Sequence, residues 1–304
     1  MQKVTLTILG CGSALPTRKN FPTSQLLEIR DKQFLIDCGE GTQIRMRQMG
    51  IKTTRLGHIF ISHLHGDHCF GLIGLISSFG MLNRTADLHI HAAVDLEKLM
   101  EAQLNFFCDN LPFKVIFHAI NPRKHELIYE DRTVQVFSIP LKHRVPCCGF
   151  LFEEKAGDRH IIRDMIDFYE IPVWRIPKIK QGEDFVTAEG EVILNERLTT
   201  NAELPIRFAY CSDTAYHESI IPIIKDVDCL YHEATFMESE IVRSKLTQHS
   251  TASQAATIAQ KANVKKLIIG HYSARYINQS ELLKEATDVF ENTILGEDMT
   301  VYDI

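Results

Sequence analysis

The chain has 304 residues, of which 45% are hydrophobic and 24% charged, and its formal net charge is −6. Such a composition builds a sizeable core and excludes disorder and fibrous repeats. The acidic balance excludes a protein that coats nucleic acid indiscriminately, so any contact with a polynucleotide must be local. The N-terminal text MQKVTLTILG holds one lysine and no long apolar run, which does not read as a signal peptide. The longest apolar stretch, Cys69 to Leu82, is broken by glycines and serines and falls short of the ~20 residues that span a bilayer. Eight cysteines occur without a CxxC pair, which predicts reduced thiols and a cytoplasmic protein.

In chain order, Val4, Leu6 and Ile8 alternate with Lys3, Thr5 and Thr7, the period of a strand. Residues 25–29 and 33–36 read as a hairpin around Arg30-Asp31-Lys32, and 42–49 as a helix stopped by Gly50. Residues 58–62 form a compact apolar strand, followed after His68 by an apolar helical segment. Strands are expected at 88–91, 114–118 and 133–139, with a helix over 94–107. Residues 207–211, 229–232 and 265–270 are apolar strands that each run into a polar loop, and 250–262 and 280–290 read as helices. Interleaved strands and helices place the chain in the α/β or α+β class with layered sheets. Residues 153–200 are polar and lack a clean core pattern, and read as an inserted arm rather than a separate domain.

The strongest chemical signal is His63-Leu64-His65-Gly66-Asp67-His68, with four metal-competent side chains in six residues. His63 and His65 leave a strand end two residues apart, so both can point one way. Gly66 lets the chain turn and aim Asp67 and His68 at a second point. Imidazole suits zinc, and a carboxylate oxygen suits zinc or manganese. Further donors stand at the ends of apolar strands: His143, Asp213 and His271. Layered α/β proteins collect site residues at such ends. His58, His89, His91, His118, His125, His160 and His217 are read as non-ligands.

With these residues in view, the chain resembles the ribonuclease Z family, short form, within the metallo-β-lactamase superfamily. The likeness rests on HLHGDH at 63–68, PTRKNFPTS at 16–24, DCGEGTQ at 37–43, HEAT at 232–235, HST at 249–251 and GHYSARY at 270–276. It implies a four-layer αββα sandwich over residues 1–304 with a protruding exosite arm at about 153–200. It also implies two zinc ions per subunit, manganese being possible, one on His63, His65 and His143 and the other on Asp67, His68 and His271, with Asp213 bridging. Asp37 corresponds to the family's buried aspartate that braces the histidine loop. The implied activity is endonucleolytic removal of the 3′ trailer of precursor tRNA by a cytoplasmic homodimer that touches no membrane.

The chemistry assigns roles. Asp67 orients or deprotonates the attacking water, and His249, oriented by Glu233, protonates the leaving 3′-oxygen, with His232 a possible assistant. Ser273 and Arg275 suit a phosphate oxygen. Arg18, Lys19 and Asn20 sit in a loop suited to the substrate near the cut. The arm's Arg175, Lys178 and Lys180 make a basic tip that fits phosphate, although the family's glycine-proline pairs are absent there. Two other classes compete: a hydrolase of small esters or thioesters on the same metals, and a metal-bearing RNA-binding protein without turnover. HEAT and HST weigh against the first, and the full donor set against the second.

Overall fold

The computed structural model describes residues 4–304, so Lys3, which opens the expected first strand, lies outside the described residues. The chain divides into two compact units, one of residues 4–153 with 206–304 and one of residues 154–205. In the larger unit the strands are β1 (Thr5–Gly10), β2 (Ser24–Ile29), β3 (Lys32–Ile36), β4 (Leu56–Phe60), β5 (Leu88–Ala93), β6 (Val115–Ile120), β7 (Leu127–Glu130), β8 (Val134–Pro140) and β9 (Cys148–Glu154). The smaller unit holds four two-residue strands, β10 (His160–Ile161), β11 (Phe185–Val186), β12 (Val192–Ile193) and β13 (Thr199–Thr200). The larger unit resumes with β14 (Arg207–Cys211), β15 (Cys229–Glu233), β16 (Lys266–Gly270), β17 (Thr293–Leu295) and β18 (Thr300–Asp303). In chain order the α-helices are α1 (Thr42–Gln48), α2 (Gly66–Cys69), α3 (Leu72–Met81), α4 (Asp95–Phe107), α5 (Arg163–Phe168), α6 (Ile176–Lys180), α7 (Asn195–Leu198), α8 (Ile241–Thr247), α9 (Ala252–Lys261) and α10 (Ser280–Thr287).

Two seven-stranded sheets result, ordered β18-β1-β2-β3-β4-β5-β6 and β17-β16-β15-β14-β9-β8-β7. Alternation assigns the faces. Phe34, Ile36 and Phe60 enter the core between the sheets, whereas Leu35, Ile59 and Ile61 face outward. There they meet Leu72, Ile76 and Phe79 of α3 (Leu72–Met81) and Leu96 and Met100 of α4 (Asp95–Phe107). The outer face of the second sheet is covered by α9 (Ala252–Lys261) and α10 (Ser280–Thr287). Strands β14 to β17 run parallel, and their near-continuous apolar text is what a strand covered on both faces requires. Each fully buried Leu or Ile there contributes about 1.5–3 kcal/mol. No helix is long and apolar enough to cross a membrane among the described residues, and the eight cysteines are free thiols.

Several elements escape the sequence reading. The last strand, β18, pairs antiparallel with β1, joining Thr5 to Asp303, a contact no local pattern reveals. Strand β9 pairs antiparallel with β14, although the sequence reading named no strand at 148–154 and began the insertion at 153. The arm also departs from expectation, because it has a small core of its own in Ile171, Ile179, Phe185, Ile193 and Leu198.

Four of the histidines read as non-ligands form one cluster between β4, β5 and β6. Register sets His58 beside His89 and His91 beside His118. His58 Nδ1 lies 3.1 Å from His91 Nε2, and His89 Nδ1 lies 2.9 Å from His118 Nε2. The His91 ring stacks on Phe60 and His118, both at 4.5 Å. Burial, followed by the neighbouring imidazoles, lowers His58 to about 4 against the opposing pull of Asp131; Arg84 adds to the lowering. Burial and the same neighbours lower His91 to about 2. Folded pKa values below the ordinary ~6.5 mean that unfolding takes up protons as pH falls. The stabilisation is therefore complete above about 6.5 and is lost toward 4 and below, at about 1.4 kcal/mol per pH unit for each proton taken up. We expect the melting temperature to fall between pH 6.5 and 4, and His91→Phe to make that fall shallower. An unchanged slope in the variant would remove the cluster as its cause.

Candidate metal centre

The donor residues stand where the strands end. His63 and His65 follow β4, His143 follows β8, Asp213 follows β14, and His271 follows β16. Asp67 and His68 lie on the short helix α2 (Gly66–Cys69). Parallel strands deliver their carboxyl ends to one edge, where α/β proteins place their sites. Asp37, Asp213 and His271 all adopt left-handed backbone, with φ of 56°, 59° and 58°. Such conformations cost energy for non-glycine residues and cluster where side chains must be aimed.

Two donor sets converge. In the first, His63 Nε2 and His143 Nε2 lie 2.9 and 3.4 Å from His65 Nδ1, and 3.9 and 3.8 Å from Asp213 Oδ1. In the second, His68 Nε2 and His271 Nε2 lie 2.9 and 3.1 Å from Asp213 Oδ2, and 3.5 and 3.8 Å from Asp67 Oδ2. One Asp213 oxygen faces each set. Both sets have the composition and spacing that could hold a metal ion. The buried Nε2 atoms of His68 and His271 make no hydrogen bond of acceptable geometry, although each points among oxygen atoms. Orphaned imidazole nitrogens are costly in a protein interior and fit a divalent cation as the missing partner.

Each of four histidines is oriented through its other nitrogen, as ligating imidazoles are. His63 Nδ1 bonds Ser62 Oγ at 3.1 Å, and His143 Nδ1 bonds the Gln248 carbonyl at 3.0 Å. His68 Nδ1 donates to Asp37 Oδ2 at 2.8 Å, and His271 Nδ1 bonds Thr235 Oγ1 at 3.0 Å. Asp37, fully buried, also accepts from the Ser62 amide and hydroxyl at 2.8 and 2.9 Å and from the Tyr210 hydroxyl at 2.7 Å. The Asp67 carboxylate accepts the Ala14 amide at 2.8 Å.

The HEAT and HST texts meet at Glu233. Its carboxylate takes His249 Nδ1 at 3.0 Å, the Ser250 amide at 3.1 Å, the Thr214 amide and the Thr235 hydroxyl. Burial lowers the His249 pKa, but the Glu233 charge and hydrogen bond outweigh it, with help from Asp213, and carry it up to about 9. Burial raises Glu233, and the His249 charge overcomes it, leaving the carboxyl below its ordinary value. Thr251 caps α9 through a reciprocal box with Gln254, so the helix start needs nothing from His249. His232 turns away from Glu233 by strand alternation, and its Nδ1 bonds the Glu233 carbonyl at 2.8 Å.

The remaining site candidates are spread more widely. Ser273 accepts from Arg275 at 3.1 Å, while Arg275 pairs with Glu240 at 3.0 Å. Arg18, Lys19 and Asn20 line a separate cavity of about 190 Å³ with Tyr272 and Tyr276, and Lys19 donates to Gln279 at 3.2 Å. Arg175, Lys178 and Lys180 belong to the smaller unit, where Arg175 lies 3.7 Å from Glu183. Sequence reading missed Ser62, Thr235, Tyr210, Gln248 and Ala14. Only Ser62, ahead of the histidine motif, and Thr235, the last letter of HEAT, carried a local signal.

Two stacked sheets between helices, with histidine and aspartate donors converging at strand ends, define a metallo-β-lactamase-fold protein. Among solved structures the fold matches human tRNase Z, short form, at a TM-score of 0.71 and 23% identity over 99% of both chains. It also matches the metallo-β-lactamase fold protein YhfI from Bacillus subtilis at 0.69 and 18% over the whole of both. Residues 4–170 match the family model Anti-Pycsar protein Apyc1. Ribonuclease Z of Bacteroides fragilis is 58% identical, and that of Parabacteroides distasonis 60% identical, each over 98% of both chains. The chain belongs to the ribonuclease Z family and, through residues 4–170, to the family that the Apyc1 model describes.

Three donors, from His68, Ser62 and Tyr210, converge on Asp37 Oδ2. We therefore expect Asp37→Asn to confront them with an amide that cannot accept from all three, and to weaken metal affinity about 10–100-fold. Chelator competition on the purified variant measures this; affinity equal to the parent's would leave the brace without a role.

Proposed function

We propose that this member of the ribonuclease Z family is a metal-dependent endoribonuclease that cuts precursor tRNA after the discriminator nucleotide. It leaves a 3′-hydroxyl on the tRNA and a 5′-phosphate on the trailer. The observation that carries this reading is the His249–Glu233 pair beside two converging donor sets, in a chain 58% identical from end to end to a Ribonuclease Z.

In this reading His63, His65 and His143 with Asp213 would hold one ion, and Asp67, His68 and His271 with Asp213 the other. Two zinc ions per subunit suit this imidazole and carboxylate set, with manganese as the alternative. Divalent ions held there would supply a water of lowered pKa and a positive field for the charge on the attacked phosphate. Asp67, fixed by the Ala14 amide, orients the attacking water and takes its proton. His249 binds Glu233 through Nδ1, which leaves Nε2 to carry a proton to the departing 3′-oxygen. Without that proton the leaving group is a poor alkoxide. The Glu233 charge favours the protonated imidazole, and its hydrogen bond fixes the ring's orientation.

Ser273, Arg275, Arg18, Lys19 and Asn20 are assigned to the RNA near the cut, Arg275 exchanging Glu240 for a phosphate oxygen. Arg175, Lys178 and Lys180 are assigned to the tRNA body. Basic side chains on an acidic protein make binding fall steeply with salt. We place the enzyme in the cytoplasm as a homodimer, which light scattering tests: a monomer at working concentration removes the dimer.

The decisive assay maps the cut on a 3′-extended tRNA, with metal content measured on the same sample. A chelator is expected to abolish cleavage, and zinc or manganese to restore it. His249→Ala is expected to lower kcat about 10²–10⁴-fold with little change in KM. Full activity in both Asp67→Ala and His249→Ala would overturn these roles.

A further inference from the structure

Beside the donors lies a cavity of about 450 Å³, whose lining includes His65, Asp67, Asp213 and His249 together with Phe70 and Arg144. Its size falls in the range of small-ligand sites. Half of the lining belongs to the machinery already described; Phe70 is among the residues that do not. The residue is 71% exposed, immediately after α2, where a large apolar side chain gains from being covered.

The ring is nonetheless held in place. A Cβ built on Gly66 would stand 2.3 Å from Phe70 Cε2 and 2.4 Å from Cζ. The ring therefore lies against the Gly66 backbone, and any other residue at 66 would push it away. The Phe70 amide also bonds the Gly66 carbonyl at 2.9 Å, closing the turn that carries the ring. One side of the aromatic is supported by the loop that bears His65 and Asp67. Phe70 also lines the same cavity as Asp67, Asp213 and His249. A rigid apolar face open beside groups that act on a phosphodiester is the arrangement on which a nucleobase stacks, and every base has such a face regardless of identity.

We propose that Phe70 is the stacking platform for the base of one of the two nucleotides flanking the scissile phosphate. The interaction sets the phosphate against the donor sets and favours a polynucleotide over a small ester. The inference rests on the endoribonuclease reading and deepens it. Arg144, in the same lining, carries a guanidinium that suits phosphate oxygens.

The test compares the parent with Phe70→Ala, Phe70→Leu and Phe70→Trp on three 3′-extended tRNAs. One is intact, one is abasic at the nucleotide 5′ of the cut, and one is abasic at the nucleotide 3′ of it. Stacking of about 1–3 kcal/mol per base predicts that Phe70→Ala loses about 5- to 150-fold in kcat/KM on the intact substrate. Phe70→Leu, which keeps apolar bulk without a π face, should lose nearly as much, and Phe70→Trp should stay close to the parent. On one abasic substrate the parent should be as slow as Phe70→Ala, because the partner is already missing. Equal fold-losses for Phe70→Ala on all three substrates, or full activity in Phe70→Leu or Phe70→Ala, would overturn the platform. Metal content equal to the parent's excludes loss of the donor sets as the cause. Failure of the parent to cut intact tRNA would sink the endoribonuclease reading itself, and is distinguishable from failure of the platform alone.

Discussion

A carboxylate buried without compensation costs several kcal/mol, and Asp37 is wholly buried. The compensation is four hydrogen bonds, two from Ser62, one from His68 and one from Tyr210. Those partners come from the loop after β4 and from β14, so one charge ties the histidine loop of the first sheet to a strand of the second. Satisfying Asp37 fixes the ring of His68, and with it the direction of the nitrogen that faces Asp213. The loop after β4 is therefore held by both sheets as well as by its own local turn.

On the opposite wall Glu233 plays the same part. It gathers Thr214, Thr235, His249 and Ser250, and Thr235 passes the constraint on to His271. The three residues of HST divide the work. His249 faces the cavity, Ser250 bonds Glu233 and the Thr214 carbonyl, and Thr251 caps α9. Three consecutive residues thus combine one chemical group with the scaffold that orients it. Two buried carboxylates, Asp37 and Glu233, flank the donor sets and orient rings on either side, which leaves Asp213 to face both.

Electrostatics separates the centre from the rest of the chain. The net charge is −6, yet the donor sets gather imidazoles around few carboxylates, and Arg18 and Lys19 line a different cavity. The smaller unit shows the same economy of charge, since Arg175 is partly answered by Glu183. A second histidine cluster, on β4 to β6, bonds nitrogen to nitrogen in two pairs and offers no third converging donor among the described residues. Each candidate donor group at the strand ends, by contrast, combines imidazole with a carboxylate, Asp213 or Asp67.

Much of the centre was legible in the text. HLHGDH placed four metal-competent side chains by spacing, and His143, Asp213 and His271 stood out at the ends of apolar strands, which parallel strands deliver to one edge, while their division into two candidate donor sets came from the family resemblance. The strands and helices of period two and 3.6 were visible for the same reason that burial is periodic. Pairing β18 with β1, closing β9 onto β14, and giving residues 154–205 a core all depend on contacts distant in sequence, which no local pattern encodes. Bracing by Ser62, Tyr210, Thr235 and Gln248 was likewise decided only by the tertiary structure. Apart from the motif positions of Ser62 and Thr235, such a hydroxyl or backbone carbonyl gives no sign of its role in the sequence, and becomes a partner only when folding buries it beside a group that needs one hydrogen bond more.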